Sequence, residues 1–156
     1  MKIRAVLAFI LGLIASWGLI YFLVLGGSLT DLVNILTGGL EGFKGVLFNV
    51  CVIQFSAFPL VLIGDYILMI VLVFTGLLIG VICGGYKCSL IVVFFYSLIV
   101  FLTPFIVLVS GGYPPFLALT QILFLFIGHS LIYVVLNFIA YEAVLILPAL
   151  LGAALI

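Results

Sequence analysis

The chain has 156 residues, of which 69% are hydrophobic and 5% charged, with four basic and four acidic side chains that cancel. A soluble domain is about half apolar and about a quarter charged, so a water-soluble monomer, a disordered segment and a nucleic-acid-binding protein are all excluded. The composition reads as an all-α integral membrane protein. Its apolar runs are continuous rather than alternating, unlike those of a transmembrane barrel, and in lipid such runs must satisfy their own backbone as helices.

In chain order, the first apolar run covers 5–25 and follows Lys2 and Arg4. It is longer than the apolar core of a secretory signal, about 7–15 residues, and no small-x-small site closes it, so it is read as an uncleaved first span. Gly26-Gly27 ends it. Ser28 then caps a short helix over 29–37, with Asp31 three residues on at the positive end of the helix dipole. Leu29, Leu32, Val33 and Leu36 share one face of this helix. It is too short to span and is expected to lie flat at the membrane interface.

After Glu41-Gly42-Phe43-Lys44 comes a second run, 45–64, the most polar of the long ones, with Asn49, Gln54, Ser56 and Pro59. A full span is preferred there to a re-entrant hairpin, because the run is long enough and its polar groups are uncharged. Gly64-Asp65 forms a turn into a third span, 66–84. Gly84-Gly85-Tyr86-Lys87 breaks the pattern before a fourth span, 89–109, irregular near Pro104. The clearest loop is Ser110-Gly111-Gly112-Tyr113-Pro114-Pro115.

One helix from Phe116 to Ile156 would extend about 60 Å, roughly twice the hydrocarbon core. A break is therefore expected between Asn137 and Glu142, with Tyr141 and Glu142 at an interface. That leaves a fifth span over 116–136 and a short sixth over 143–156. The reading is a polytopic bundle of five to six transmembrane helices plus one interfacial helix, in the cell membrane. Tyr21, Tyr66, Tyr86, Tyr113 and Tyr141 fall near predicted span ends, as aromatic belts do.

Lys2, Arg4 and the amino terminus favour a cytoplasmic start. With six full spans, Lys44 and Lys87 fall on the other side, and the basic residues divide two to two. A re-entrant 45–64 segment would return Lys87 to the starting side and make the bias three to one. Small residues recur at helical spacing: Ala8, Gly12 and Ser16 in the first span; Gly76, Gly80 and Gly84 in the third; Ala149, Gly152 and Ala153 in the last. Such faces let helix backbones approach closely, within the chain or against another chain.

Ionisable groups inside a membrane segment are functional candidates. His129 is the deepest such group, and Gln121, Tyr133 and Asn137 lie on the same side of the fifth span, forming a polar stripe. That stripe serves either as interhelical hydrogen bonding or as the wall of a substrate or proton path. A single histidine excludes bis-histidine haem ligation, and no HExxH pair, GxSxG elbow or phosphate loop is present. Cys51, Cys83 and Cys88 make neither a disulfide framework nor a zinc pattern, although Cys83 and Cys88 flank one turn and can approach each other. No cofactor is implied. The segment Leu62-Ile63-Gly64-Asp65 resembles the GxGD element of presenilin and prepilin-type peptidases over three or four residues, departing at Leu62. That resemblance implies an intramembrane aspartyl enzyme, which needs two carboxylates sharing a proton.

The scarcity of buried chemistry favours a small non-catalytic membrane subunit whose partners are the bilayer and other membrane-protein chains. The alternative is a small transporter whose path is lined by the polar stripe.

Overall fold

In the computed structural model the described residues are 2–55, 66–127 and 131–155, with the side chains of residues 55, 123–127, 131–134 and 137 left aside. Among them the chain is helical throughout, with no strand. Helix α1 (Lys2–Leu19) runs into a π-helical turn (Ile20–Val24), followed by α2 (Leu29–Thr37), α3 (Leu40–Phe55), α4 (Ile67–Cys83), α5 (Tyr86–Ser110), α6 (Pro115–Ile127) and α7 (Leu131–Ala154). Two of these segments, Lys2–Val24 and Tyr86–Ser110, are long and apolar enough to cross a membrane.

Local chemistry sets the boundaries. The widened turn after α1 closes with Leu25 N–H donating to the Ile20 carbonyl at 3.0 Å. Helix α4 stops because Gly84 takes a left-handed φ of 61° and donates back to the Gly80 carbonyl, a conformation that carries no steric cost only for glycine. Helix α5 continues through Pro104, which has no N–H to donate. One residue earlier the Thr103 hydroxyl donates to the Ile99 carbonyl at 2.7 Å.

Helix α2 begins with a reciprocal cap. The Asp31 backbone N–H donates to Ser28 Oγ, while Ser28 N–H and the Ser28 hydroxyl both donate to Asp31 Oδ2, the hydroxyl at 2.5 Å. These bonds, the hydroxyl's first, hold the Asp31 carboxyl below its ordinary 3.8. Because the folded value is the lower one, the cap's contribution is complete above the ordinary value and disappears as pH falls through the lowered one. Acidification past that point should fray the first turn of α2, read as faster amide exchange at Asp31 and Leu32. An Asp31→Asn protein should lack this acid-dependent step.

Register fixes the topology. The Arg4 guanidinium lies 3.1 Å from where a Cβ on Gly84 would sit, and farther along α1 Gly12 meets Ile79, so α1 and α4 are antiparallel. Helices α4 and α5 are joined by Gly84-Gly85 and also run antiparallel. Helix α7 is parallel to α4, because Gly76 meets Leu145 while Gly80 meets Ala149 and Ala153. One end of the bundle therefore holds Lys2, Arg4, Lys87 and the end of α7. The other holds the start of α4 and the end of α5.

Helix α3 starts at this second end, where Glu41, Lys44 and Asn49 line a groove with Val107, Gly111 and Tyr113. Its last described turn lies level with the middle of α5, where Gln54 meets Tyr96, and α4 begins back at the second end. Helix α6 likewise starts there, laying Phe116, Leu119 and Ile122 against Phe101, Leu102 and Phe105 of α5. Glu142 of α7 shares a groove with Ser97. Leu131 lies 11 residues earlier, about 16 Å nearer the second end at 1.5 Å per residue.

Of the runs expected to be full spans, 45–64 is described as far as Phe55 and 116–136 apart from residues 128–130; in both, the described helix starts at the second end and packs on α5. The break expected between Asn137 and Glu142 is absent. Helix α7 passes through it without interruption, since neither glycine nor proline occurs there and single polar side chains do not stop a helix that can pair them internally. Tyr141, expected at an interface, is fully buried, and Tyr21 is nearly so.

The core lies among α1, α4, α5 and α7, with Leu68, Leu72, Ile79, Val93, Tyr96 and Leu145 fully enclosed. The α4–α7 contact is the most extensive in the protein. A Cβ on Gly76 would lie 2.5 Å from the Leu145 carbonyl oxygen, and one on Gly152 would lie 2.5 Å from the Leu77 carbonyl oxygen. The two backbones thus touch through small residues on both sides. Gly84 is not part of this seam: it is exposed and caps α4, so the expected third member of that row terminates the helix instead. In α1, Ala8, Gly12 and Ser16 form the buried face.

Candidate functional site

Three described polar side chains from three helices converge at the centre of the bundle. Gln54 of α3, Ser16 of α1, and Tyr96 of α5 are buried together. Gln54 Nε2 donates to the Tyr96 hydroxyl at 2.7 Å, that hydroxyl donates to Ser16 Oγ at 2.7 Å, and Ser16 donates to the Leu13 carbonyl at 3.2 Å. Along this run of bonds the Tyr96 and Ser16 hydroxyls each accept once and donate once. Tyr141 of α7 lies within interaction range of the Tyr96 hydroxyl, so four helices share one polar focus. Cys51 approaches it from α3, close to Thr103.

The direction of the chain limits its chemistry. It begins at an amide, which does not exchange its proton readily, and ends on a backbone carbonyl, which cannot pass one on. This is the pattern of a fixed interhelical lock.

Beside the lock, a groove of about 420 Å³ opens sideways between α5 and α7. It is lined by Phe94, Leu98, Phe101, Val135 and Phe138, with two polar members, Ser97 and Glu142. The Ser97 hydroxyl is near enough to interact with the Glu142 carboxyl. Glu142 is partly buried near the middle of α7. Among the described residues the ion pairing is confined to Lys44 and Glu41, at 2.7 Å on the surface of α3, so the Glu142 carboxyl faces no cation there.

The expected polar stripe is only partly placed. Gln121 is exposed on α6. His129 and the side chains of Tyr133 and Asn137 lie outside the described residues, as does Asp65 of the LIGD segment. The Asp31 carboxylate, which an aspartyl pair with Asp65 would need, is engaged in the α2 cap. No group of three or more metal-ligating side chains occurs among the described residues.

The focus at Tyr96 was not apparent from the sequence, because its bonds join residues 42 and 80 positions apart. The one available signal was that Ser16 continues the small-residue row of Ala8 and Gly12, which marks an inward face. The cost of a carboxylate inside a span is what points Glu142 to an interface in the sequence. Comparison of the chain with protein-family models, with curated proteins and with solved structures finds no match in any of the three.

Proposed function

We propose that the chain is a multi-spanning membrane protein that crosses the bilayer four times, through α1, α4, α5 and α7, with α3 and α6 as partial insertions from one side. With Lys2, Arg4 and Lys87 at one end and Lys44 at the other, the positive-inside bias puts both ends of the described chain in the cytoplasm. Within that frame it acts as a non-catalytic subunit. It docks a transmembrane helix of another membrane protein along the α5–α7 groove, and that helix presents a basic or hydrogen-bond-donating side chain opposite Glu142.

The observation that carries this reading is the Glu142 carboxyl, held in an aromatic groove that opens on the side of the bundle with Ser97 as its polar neighbour. A carboxylate there is expensive unless paired, and a complementary helix supplies the pairing. The central lock favours a packing role over a transport path, since its hydrogen bonds already run from amide to carbonyl.

The test is a photo-crosslinker at Leu98, used in native membranes. We expect one dominant protein adduct whose linked segment carries Lys, Arg, His, Asn or Gln, and a loss of at least about tenfold in that adduct for Glu142→Ala, equivalent to about 1.4 kcal/mol. Crosslinking to lipid alone, with the wild-type protein migrating as a monomer, would sink the assignment.

A further inference from the structure

A second chemical feature lies at the opposite end of the molecule from the α3 entry, away from Glu142. Cys83 is the last residue of α4 and Cys88 sits in the first turn of α5. Their Sγ atoms are 2.8 Å apart, against about 2.05 Å in a disulfide. Both residues are free thiols. The turn between them explains the convergence: Gly84 in its left-handed conformation and Gly85 with an extended φ of 178° reverse the chain over two residues. Side chains leaving the end of one helix and the start of the next are thereby aimed at each other. The pair is enclosed, but Gly84, Tyr86 and Lys87 above it are exposed, so it lies one layer beneath the surface. The third cysteine, Cys51, is fully buried in α3, near Thr103.

We propose that Cys83 and Cys88 are a reversible dithiol–disulfide site, oxidised by exchange with a low-molecular-weight disulfide, and that the bond staples the end of α4 to the start of α5. In the first step one cysteine thiolate attacks a sulfur of the reagent disulfide. A mixed disulfide forms, the reagent's S–S bond breaks, and one reagent thiolate leaves. In the second step the other cysteine thiolate attacks the protein sulfur of the mixed disulfide and expels the second reagent thiolate. Two electrons pass from the protein to the reagent. The two protons lost by the cysteines are taken up by the two leaving thiolates. The second step is intramolecular between sulfurs already in contact, so the mixed disulfide should be short-lived and the closed form strongly favoured over a stable adduct.

The full chain, reconstituted in lipid nanodiscs, is equilibrated with oxidised and reduced glutathione at a series of ratios. It is then denatured and labelled with a maleimide. We expect three labels per chain in the reduced state and one in the oxidised state, on Cys51. The unlabelled oxidised chain should be lighter by about 2 Da, the mass of two hydrogens. Cys83→Ser and Cys88→Ser should each abolish that loss and accumulate a glutathione adduct on the remaining partner. The wild-type labelling stands on its own if either variant fails to fold. Three labels at every ratio, a bond that includes Cys51, or a disulfide between two chains would each overturn the proposal.

Discussion

Gly80→Val should be the most damaging single substitution within the described residues. A Cβ at Gly80 falls on the Ala149 carbonyl oxygen and lies 2.8 Å from the Ala149 carbonyl carbon and 2.9 Å from the Ala153 amide nitrogen. All three are backbone atoms, so no side chain can swing aside; α7 as a whole must move. Overpacking in a tight core costs about 1–3 kcal/mol even where side chains can adjust. With two helix backbones in contact, a loss of about 3 kcal/mol or more is expected. Reversible unfolding in mixed micelles, or steric trapping in bilayers, reads it. Gly18→Ala is the control, since nothing lies within 4 Å of a Cβ there; it should change stability by less than about 1 kcal/mol, the helix-propensity difference alone. Equal effects at the two positions would refute the backbone seam.

Tyr96→Phe should be the second largest. It removes one oxygen and leaves two groups without their partners: the Gln54 amide loses its acceptor and Ser16 Oγ loses its donor. Each orphaned buried group costs about 1–3 kcal/mol in soluble proteins, and bilayer measurements of interhelical bonds average lower, about 0.6 kcal/mol. The expected loss is about 1–3 kcal/mol. The more telling comparison is the triple variant Ser16→Ala, Gln54→Leu, Tyr96→Phe. Removing these three members together should cost less than the sum of the three single changes, because fewer polar groups are left stranded, the Tyr141 hydroxyl being the one that stays. Strict additivity would show that the three bonds are energetically independent.

The limits of the helices are written largely in local chemistry, and that part was legible. Gly26-Gly27, the Ser28 cap with Asp31, Gly84 after Cys83 and the Gly-Gly turn after Ser110 all act within a few residues of where they stand. The inward faces of α1, α4 and α7 could also be read, since Ala8, Gly12 and Ser16, or Gly76 and Gly80, recur at the helical period. Depth could not be read. Helix α3, described as far as the level of Tyr96, is more polar than α5, which continues past it, because it carries Glu41, Lys44, Asn49 and Gln54, but that difference does not fix how deep either helix reaches. How far each helix reaches along the bundle is seen in its register against neighbours, in Arg4 beside Gly84 and in Gln54 beside Tyr96. Polarity misled for the same reason. Tyr141 and Glu142 looked like a boundary because they are the polar pair in a long apolar run, yet one is paired into the centre and the other turned to a groove. Neither partner surface is near in sequence.

The parallel seam between α4 and α7 also orders events during synthesis. Gly76 and Gly80 leave the ribosome well before Leu145, Ala149 and Gly152, the residues that cover them. Until α7 arrives, the Gly76 and Gly80 face of α4 lacks the helix that packs on it. The nascent bundle is therefore open on one side, and its final helix acts as a keystone: it must enter alongside a helix made some 70 residues earlier (a long-range closure of the kind that slows folding).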